Sequence, residues 1–211
     1  MRGGEVSAAI INYGVGNLLS ISTSLRKAGA EPKIIEDAKD AESFDAIIFP
    51  GVGAFKPAVR KLMEHEDQVL RLLTEKPILG ICLGMQLLYE RSEEGCPPGE
   101  YVRGFGVFKG PVRRLPADVK VPQMGWNTIH ILKPDCPLLA GIPDGIYVYY
   151  ANSYASPPSE DTAATTNYGI EFSAIAQREN VFGTQFHPEK SGKWGLMILR
   201  NFVEYTRRWR R

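Results

Sequence analysis

The reading turns on P-I-L-G-I-C-L-G-M-Q, residues Pro77 to Gln86. Its first half is a short apolar run behind a proline, which predicts a buried strand over 77–81. From Gly84 the spacing predicts a helix running to Arg91. Between the two stands G-x-C-x-G, formed by Gly80, Cys82 and Gly84. A strand that turns this sharply into a helix would make side chains two residues either side of the cysteine collide, hence the glycines. The cysteine is held in a strained backbone conformation with its sulfur pointing out of the turn. It also stands at a helix N-terminus, where unpaired N–H groups favour the thiolate over the thiol. The other use of a free cysteine is as a small buried hydrophobe, and the strand-turn-helix setting is what separates the two.

Outward from this turn, the first half alternates strand and helix signals. Strands are predicted over 6–11, 32–35 and 45–49, and a helix over 17–28, with Leu18, Ile21, Leu25 and Ala28 on one face and Gly29 as the stop. A further helical stretch covers 56–76 in one or two pieces. Repeated units of this kind imply parallel strands joined by right-handed crossovers. The second half reads as strands over 107–115, 128–132, 147–154, 162–167, 172–177 and 181–186, then a helix over 194–209. No linker, repeat or low-complexity tract divides the halves. The expectation is one α/β domain over residues 1–211, its central, mostly parallel sheet flanked by helices, with additional antiparallel strands in the second half.

Composition excludes several classes. A formal net charge of +1 gives no whole-molecule field for nucleic acid or an anionic membrane. The basic end, R-R-W-R-R from 207, suits a helix C-terminus. No apolar run spans a bilayer or forms a signal peptide. Cys82, Cys96 and Cys136 are an odd number without C-x-x-C spacing, so neither a disulfide framework nor a metal site is expected, and a reducing cytoplasm is. Gly14-Val15-Gly16 lacks the third glycine of a dinucleotide fingerprint, because Leu19 stands there, and Glu36 arrives without the rest of the context.

A nucleophilic cysteine needs a base, and the base needs an acceptor that fixes its tautomer. F-G-T-Q-F-H-P-E-K-S-G, from Phe182 to Gly192, supplies His187 and Glu189 around a stiffening Pro188, at the end of the 181–186 strand. His65 in E-H-E-D and His130 in T-I-H-I-L have no matching companion and read as structural. Attack on an amide carbonyl also requires donors for the oxyanion. The backbone N–H of Leu83 is one, and the loop Pro50-Gly51-Val52-Gly53 is placed to give another.

P-G-V-G-A-F, G-I-C-L-G-M-Q and F-H-P-E together resemble the class I (triad) glutamine amidotransferases. N-Y-G-V-G-N-L-L-S-I from Asn12, P-Q-M-G-W-N from Pro122 and F-H-P-E-K-S-G-K-W-G-L from Phe186 are similar to the glutaminase subunits of imidazole glycerol phosphate synthase, and the match runs in order over essentially the whole chain. The resemblance implies Cys82 as nucleophile, His187 as general base and acid, and Glu189 as the orienting carboxylate. It implies oxyanion donors at Leu83 and Gly53, with Val52 in the peptide that turns to complete the hole. Gln86 and Glu94 would hold glutamine, and Ser153 and Tyr154 would line the same pocket; Asn152 stands near a position where the family often has histidine. Asn12, Asn17, Trp126, Asn127, Tyr149 and Lys190 match positions at or near a partner interface. That partner would be a (β/α)8-barrel cyclase, in a heterodimer that passes ammonia from L-glutamine into imidazole glycerol phosphate for histidine biosynthesis. No cofactor is implied. Three other readings remain. A glutaminase of pyridoxal phosphate synthase is opposed by G-W-N and K-S-G. A non-catalytic module would be favoured by loss of a triad member, and all three are present. A cysteine peptidase on a similar fold is disfavoured by Gln86 and Glu94.

Overall fold

In the computed structural model, which describes residues 5–14 and 17–209, five α-helices and fourteen strands alternate along the chain. Val15 and Gly16 of the incomplete glycine fingerprint, the first four residues and the last two arginines of the basic end lie outside the described residues. The strands are β1 (Val6–Ile11), β2 (Ala30–Ile35), β3 (Ala46–Phe49), β4 (Ile78–Ile81), β5 (Tyr89–Ser92), β6 (Val102–Arg103), β7 (Phe108–Arg114), β8 (Gln123–Thr128), β9 (His130–Ile131), β10 (Tyr147–Asn152), β11 (Tyr154–Ala155), β12 (Thr162–Tyr168), β13 (Ile170–Arg178) and β14 (Val181–Thr184). The helices are α1 (Leu18–Ala28), α2 (Phe55–Met63), α3 (Glu66–Glu75), α4 (Leu83–Leu87) and α5 (Gly192–Trp209).

The main sheet has the order β2-β1-β3-β4-β14-β13-β12-β9. Its first five strands are parallel, and β14, β13, β12 and β9 continue it antiparallel. The inner strands β3, β4 and β14 are buried along their whole length, which is why they read as continuous apolar runs. The pleat sends alternate residues to two cores. Ala8, Ile10, Ile48 and Leu79 pack with Leu25 of α1 and Phe202 of α5 on one face; Ala9, Ile11, Ile47 and Phe49 pack with Val59 of α2 and Leu72 of α3 on the other. Two smaller sheets, β10-β8 and β11-β7-β5-β6, complete the fold.

The expected α/β architecture is present, and two local expectations are corrected. The helix predicted to Arg91 ends after five residues at Leu87, and Tyr89–Ser92 is strand. The cause is tertiary: β5 finds β7 and β6 as hydrogen-bonded neighbours, an option invisible to local helical spacing. The 56–76 stretch, expected in one or two pieces, is two helices, separated at Glu64-His65. The strand expected over 128–132 is instead β8 ending at Thr128 and the short β9, because buried Ile129 bonds back to Ile146 between them.

The topology gathers one rim. β1, β3, β4 and β14 end in register, and the backbone N–H of Cys82 donates to the carbonyl of Thr184 at 2.7 Å. The residues following these four strands therefore meet at the carboxyl edge of the sheet, where open α/β folds hold their sites.

Candidate active site

Cys82 leaves β4 at φ 50°, ψ −105°, a conformation a residue with a Cβ rarely adopts. The elbow glycines are required sterically. A Cβ on Gly80 would lie 2.6 Å from the carbonyl carbon of Gly84, and one on Gly84 would lie 1.9 Å from the Phe49 carbonyl oxygen. The loop after β3 is held as closely: a Cβ on Gly51 would lie 1.7 Å from the Ile81 carbonyl oxygen. Few aligned peptides add a dipole at the sulfur, because α4 is only five residues long. Its first N–H groups, Leu83 among them, remain available as donors.

His187 follows β14 and is buried, with Glu189 behind it. Its Nδ1 is 2.8 Å from Glu189 Oε1, and both side chains are almost wholly shielded from water. The His187 backbone is pinned by its N–H to the Tyr149 carbonyl and by Ser191 Oγ donating to its own carbonyl at 2.6 Å. Burial disfavours the charged imidazole, but the Cys82 sulfur and the Glu189 carboxylate outweigh it and hold the ring's pKa above the ordinary histidine value. With Nδ1 committed to Glu189, Nε2 is the nitrogen left for proton transfer, and it has no hydrogen-bond partner among the described residues.

A cavity of about 180 Å³ opens at the sulfur. Gly51, Val52 and Gly53 line one side, Cys82, Leu83 and Gln86 the floor, and Glu94 and the 151–154 segment the rest. The expected nucleophile, oxyanion and substrate residues are thus brought together, including Ser153 and Tyr154. Glu94 Oε2 accepts from the Phe55 N–H at 3.2 Å, and burial raises the carboxyl's pKa more than that bond lowers it. A bound ammonium group would restore the balance.

The residues expected at a partner interface divide. Trp126 is 56% exposed, stands edge-on to Tyr149 with ring centroids 6.0 Å apart, and Lys190 Nζ lies 5.8 Å over the Tyr149 ring. Asn17 caps α1 through Ser20 N–H, and Asn127 bonds to the Asn167 carbonyl and the Thr128 N–H, so both serve the fold directly. Asn12 bonds to Glu36 and to the Gly14 N–H. The two histidines read as lacking companions have them: His65 lies 3.5 Å from Asp37 and His130 3.0 Å from Asp144. Neither lines the cavity.

The residues from 9 to 205 match the family model described as Glutamine amidotransferase class-I. The chain belongs to the class-I glutamine amidotransferases. Among its curated relatives, it is 48% identical to imidazole glycerol phosphate synthase subunit HisH of Caldanaerobacter subterraneus subsp. tengcongensis, over 92% of this chain and 96% of that one. It is 47% identical to the subunit of the same name from Methanosarcina mazei, with the same coverage. Solved structures similar to this amidotransferase include PurLQS from Thermotoga maritima, with a TM-score of 0.75 at 20% identity over 96% and 99% of the two chains. The glutaminase domain of Trypanosoma brucei CTPS with bound acivicin gives 0.69 at 15% identity over 96% and 94%. At those identities the likeness is one of fold.

Two residues at this amidotransferase's site were not singled out in the sequence. Tyr13, buried beyond the end of β1, donates its hydroxyl to the Pro50 carbonyl and so ties the β1 end to the glycine loop. Gln185 donates through Nε2 to the Cys82 sulfur at 3.5 Å. Met124 and Tyr147, exposed beside Trp126 on the β8–β10 ribbon, were likewise passed over.

Proposed function

We propose that the chain is the glutaminase subunit of an imidazole glycerol phosphate synthase, with Cys82, His187 and Glu189 as its catalytic triad. One observation carries the reading. A strained cysteine and a buried His–Glu pair follow neighbouring strands, and the cysteine lines a cavity together with Gln86 and Glu94.

The chemistry follows from those positions. The Cys82 thiolate attacks the side-chain carboxamide carbon of L-glutamine. Charge moves onto the carbonyl oxygen, where the N–H groups of Leu83 and Gly53 receive it. His187, as imidazolium, donates the Nε2 proton to the departing nitrogen. Ammonia leaves and a γ-glutamyl thioester remains. His187, now neutral, takes a proton from water, the hydroxide attacks the thioester, and glutamate departs with the thiolate restored. Glu189 holds the ring in the tautomer that keeps Nε2 on the sulfur side. Glu94 offers a carboxylate to the α-ammonium of glutamine, and Gln86, Ser153 and Tyr154 shape the remaining pocket.

Ammonia released into water near neutral pH becomes ammonium, which has no lone pair for attack. The partner that uses it is a (β/α)8-barrel cyclase, bound as a heterodimer. Trp126 and Lys190, both exposed, and the half-buried Tyr149 between them are the anchors for it, with Asn12 at the neighbouring rim. Among the described residues no helix is long and apolar enough to cross a membrane, and the three cysteines are free thiols, which suits a reducing cytoplasm.

Incubating the chain with glutamine and a cyclase subunit and following glutamate tests the proposal. Glutamate release that depends on both proteins is expected, with little from the chain alone; no release from the mixture would sink it. Glu189→Gln should cut kcat by roughly 10³- to 10⁴-fold, because the ring loses its orienting charge. Steady-state assays of the complex check this, and a loss below tenfold contradicts the role. Trp126→Ala should weaken cyclase binding by roughly tenfold or more, as loss of a buried aromatic anchor does; isothermal titration of the variant gives the answer, with unchanged affinity counting against the assigned face.

A further inference from the structure

We propose that Gln185 is a positioning residue that sets both the Cys82 sulfur and the Gln86 carboxamide for this reaction. The inference rests on the glutaminase reading of the site and adds a residue to it. Gln185 is 1% exposed, lies two residues before His187 and does not line the cavity, so it acts through its neighbours.

The direction of every hydrogen bond in the chain is forced. The Tyr154 backbone carbonyl can only accept. Gln86 must therefore turn Nε2 toward it, and does so at 2.9 Å. The second proton on that nitrogen goes to Gln185 Oε1 at 3.1 Å. With its oxygen committed, Gln185 presents Nε2 to the Cys82 sulfur. Flipping Gln86 would set an oxygen against the Tyr154 carbonyl. Flipping Gln185 would set an NH2 against an NH2 and an oxygen against the sulfur. A carbonyl some seventy positions along the chain thus dictates that the sulfur meets a donor, and a donor favours the anion over the thiol.

The same relay orients the substrate side. Because Gln86 gives its nitrogen to Tyr154 and Gln185, its Oε1 is the end left for a ligand in the cavity, an acceptor for N–H groups of glutamine. Asn152 Nδ2 adds a second donor to the Tyr154 carbonyl at 3.1 Å. The Gln185 backbone is fixed by its N–H to the Ala174 carbonyl at 2.9 Å, so its side chain has a defined origin.

The test reads the sulfur directly. Alkylation of Cys82 by iodoacetamide is followed against pH in the full chain without glutamine, at the peptide level so that Cys96 and Cys136 are separated. The ionisable groups around the sulfur are His187 backed by Glu189 after β14, Tyr13 after β1, and Glu94 across the cavity; Gln185→Leu leaves all of them in place. In that variant the acid limb of the rate profile should move up by about one pH unit, with alkylation on that limb about tenfold slower, as expected for losing one hydrogen bond to a charged group. In the complex, kcat for glutamine should fall by about tenfold and KM should rise, since Gln86 loses its fixed orientation. Gln185→Asn keeps a buried amide but is one methylene too short to span Gln86 and Cys82, and its limb should move in the same direction. It decides the matter if the leucine variant does not fold. An unmoved limb in either folded variant overturns the proposal, and glutamate release by the same complex leaves the glutaminase reading standing. The converse result, a shifted limb with no glutamate from the wild-type complex, removes that reading and with it the assignment of Gln185 to glutamine hydrolysis.

Discussion

Cys82→Ala leaves a complex that assembles but does not hydrolyse glutamine. The rate loss is expected at roughly 10⁴-fold or more, because no other group on the rim can form the thioester, and removing a triad nucleophile has effects of that size. Cyclase affinity should be unchanged. Cys82 is 6% exposed, while the proposed docking side chains Trp126, Tyr149 and Lys190 stand on other elements. Glutamate release and titration calorimetry on the same preparation separate the two outcomes. Residual hydrolysis near the wild-type rate would assign the chemistry elsewhere; lost binding with the fold intact would mean the cysteine has a structural role at the interface.

Gly84→Ala should be strongly damaging to stability at the site. Its new methyl would sit 1.9 Å from the carbonyl oxygen and 2.9 Å from the Cβ of Phe49, both on β3. No flexible side-chain end is available to yield, so α4 must lift off the sheet. The cost is expected at about 3 kcal/mol or more, at the upper end of overpacking effects. Urea denaturation gives the value through a lowered midpoint at constant slope. Hydrolysis should fall with it, because the displacement moves Leu83 and the sulfur relative to the Gly51–Gly53 loop packed on Ile81. A variant with wild-type stability would show that the approach of α4 to β3 is soft, and the steric account of the elbow would fail.

The parts of the fold that were legible in the sequence are those written in contiguous residues. The runs A-I-I-F and I-L-G-I are buried on both faces, so their apolarity is continuous and announces inner parallel strands. The elbow is announced by its two glycines, of which Gly80 is required by the turn itself and Gly84 by the approach of β3. His187 and Glu189 are two apart, so their bond is nearly local. Where the deciding partner is distant, local pattern misleads. Tyr89–Ser92 carries helical spacing after α4, yet a ladder to β7 decides its state. The break between β8 and β9 depends on Ile146. His65 and His130 each receive a carboxylate from another element, across gaps that no motif spans.

By itself the sequence determined the kinds of groups available and the local strain that presents one of them: a cysteine that must sit at a glycine-flanked turn, and an imidazole whose carboxylate is close by along the chain. Tertiary structure alone decided that these share one rim, by laying β14 against β4; the side chain that touches the sulfur there is Gln185, 103 positions along the chain. It also decided which end of Gln185 faces Cys82, because a carboxamide has a donor and an acceptor of nearly equal shape, and only the full set of neighbours fixes which way it turns.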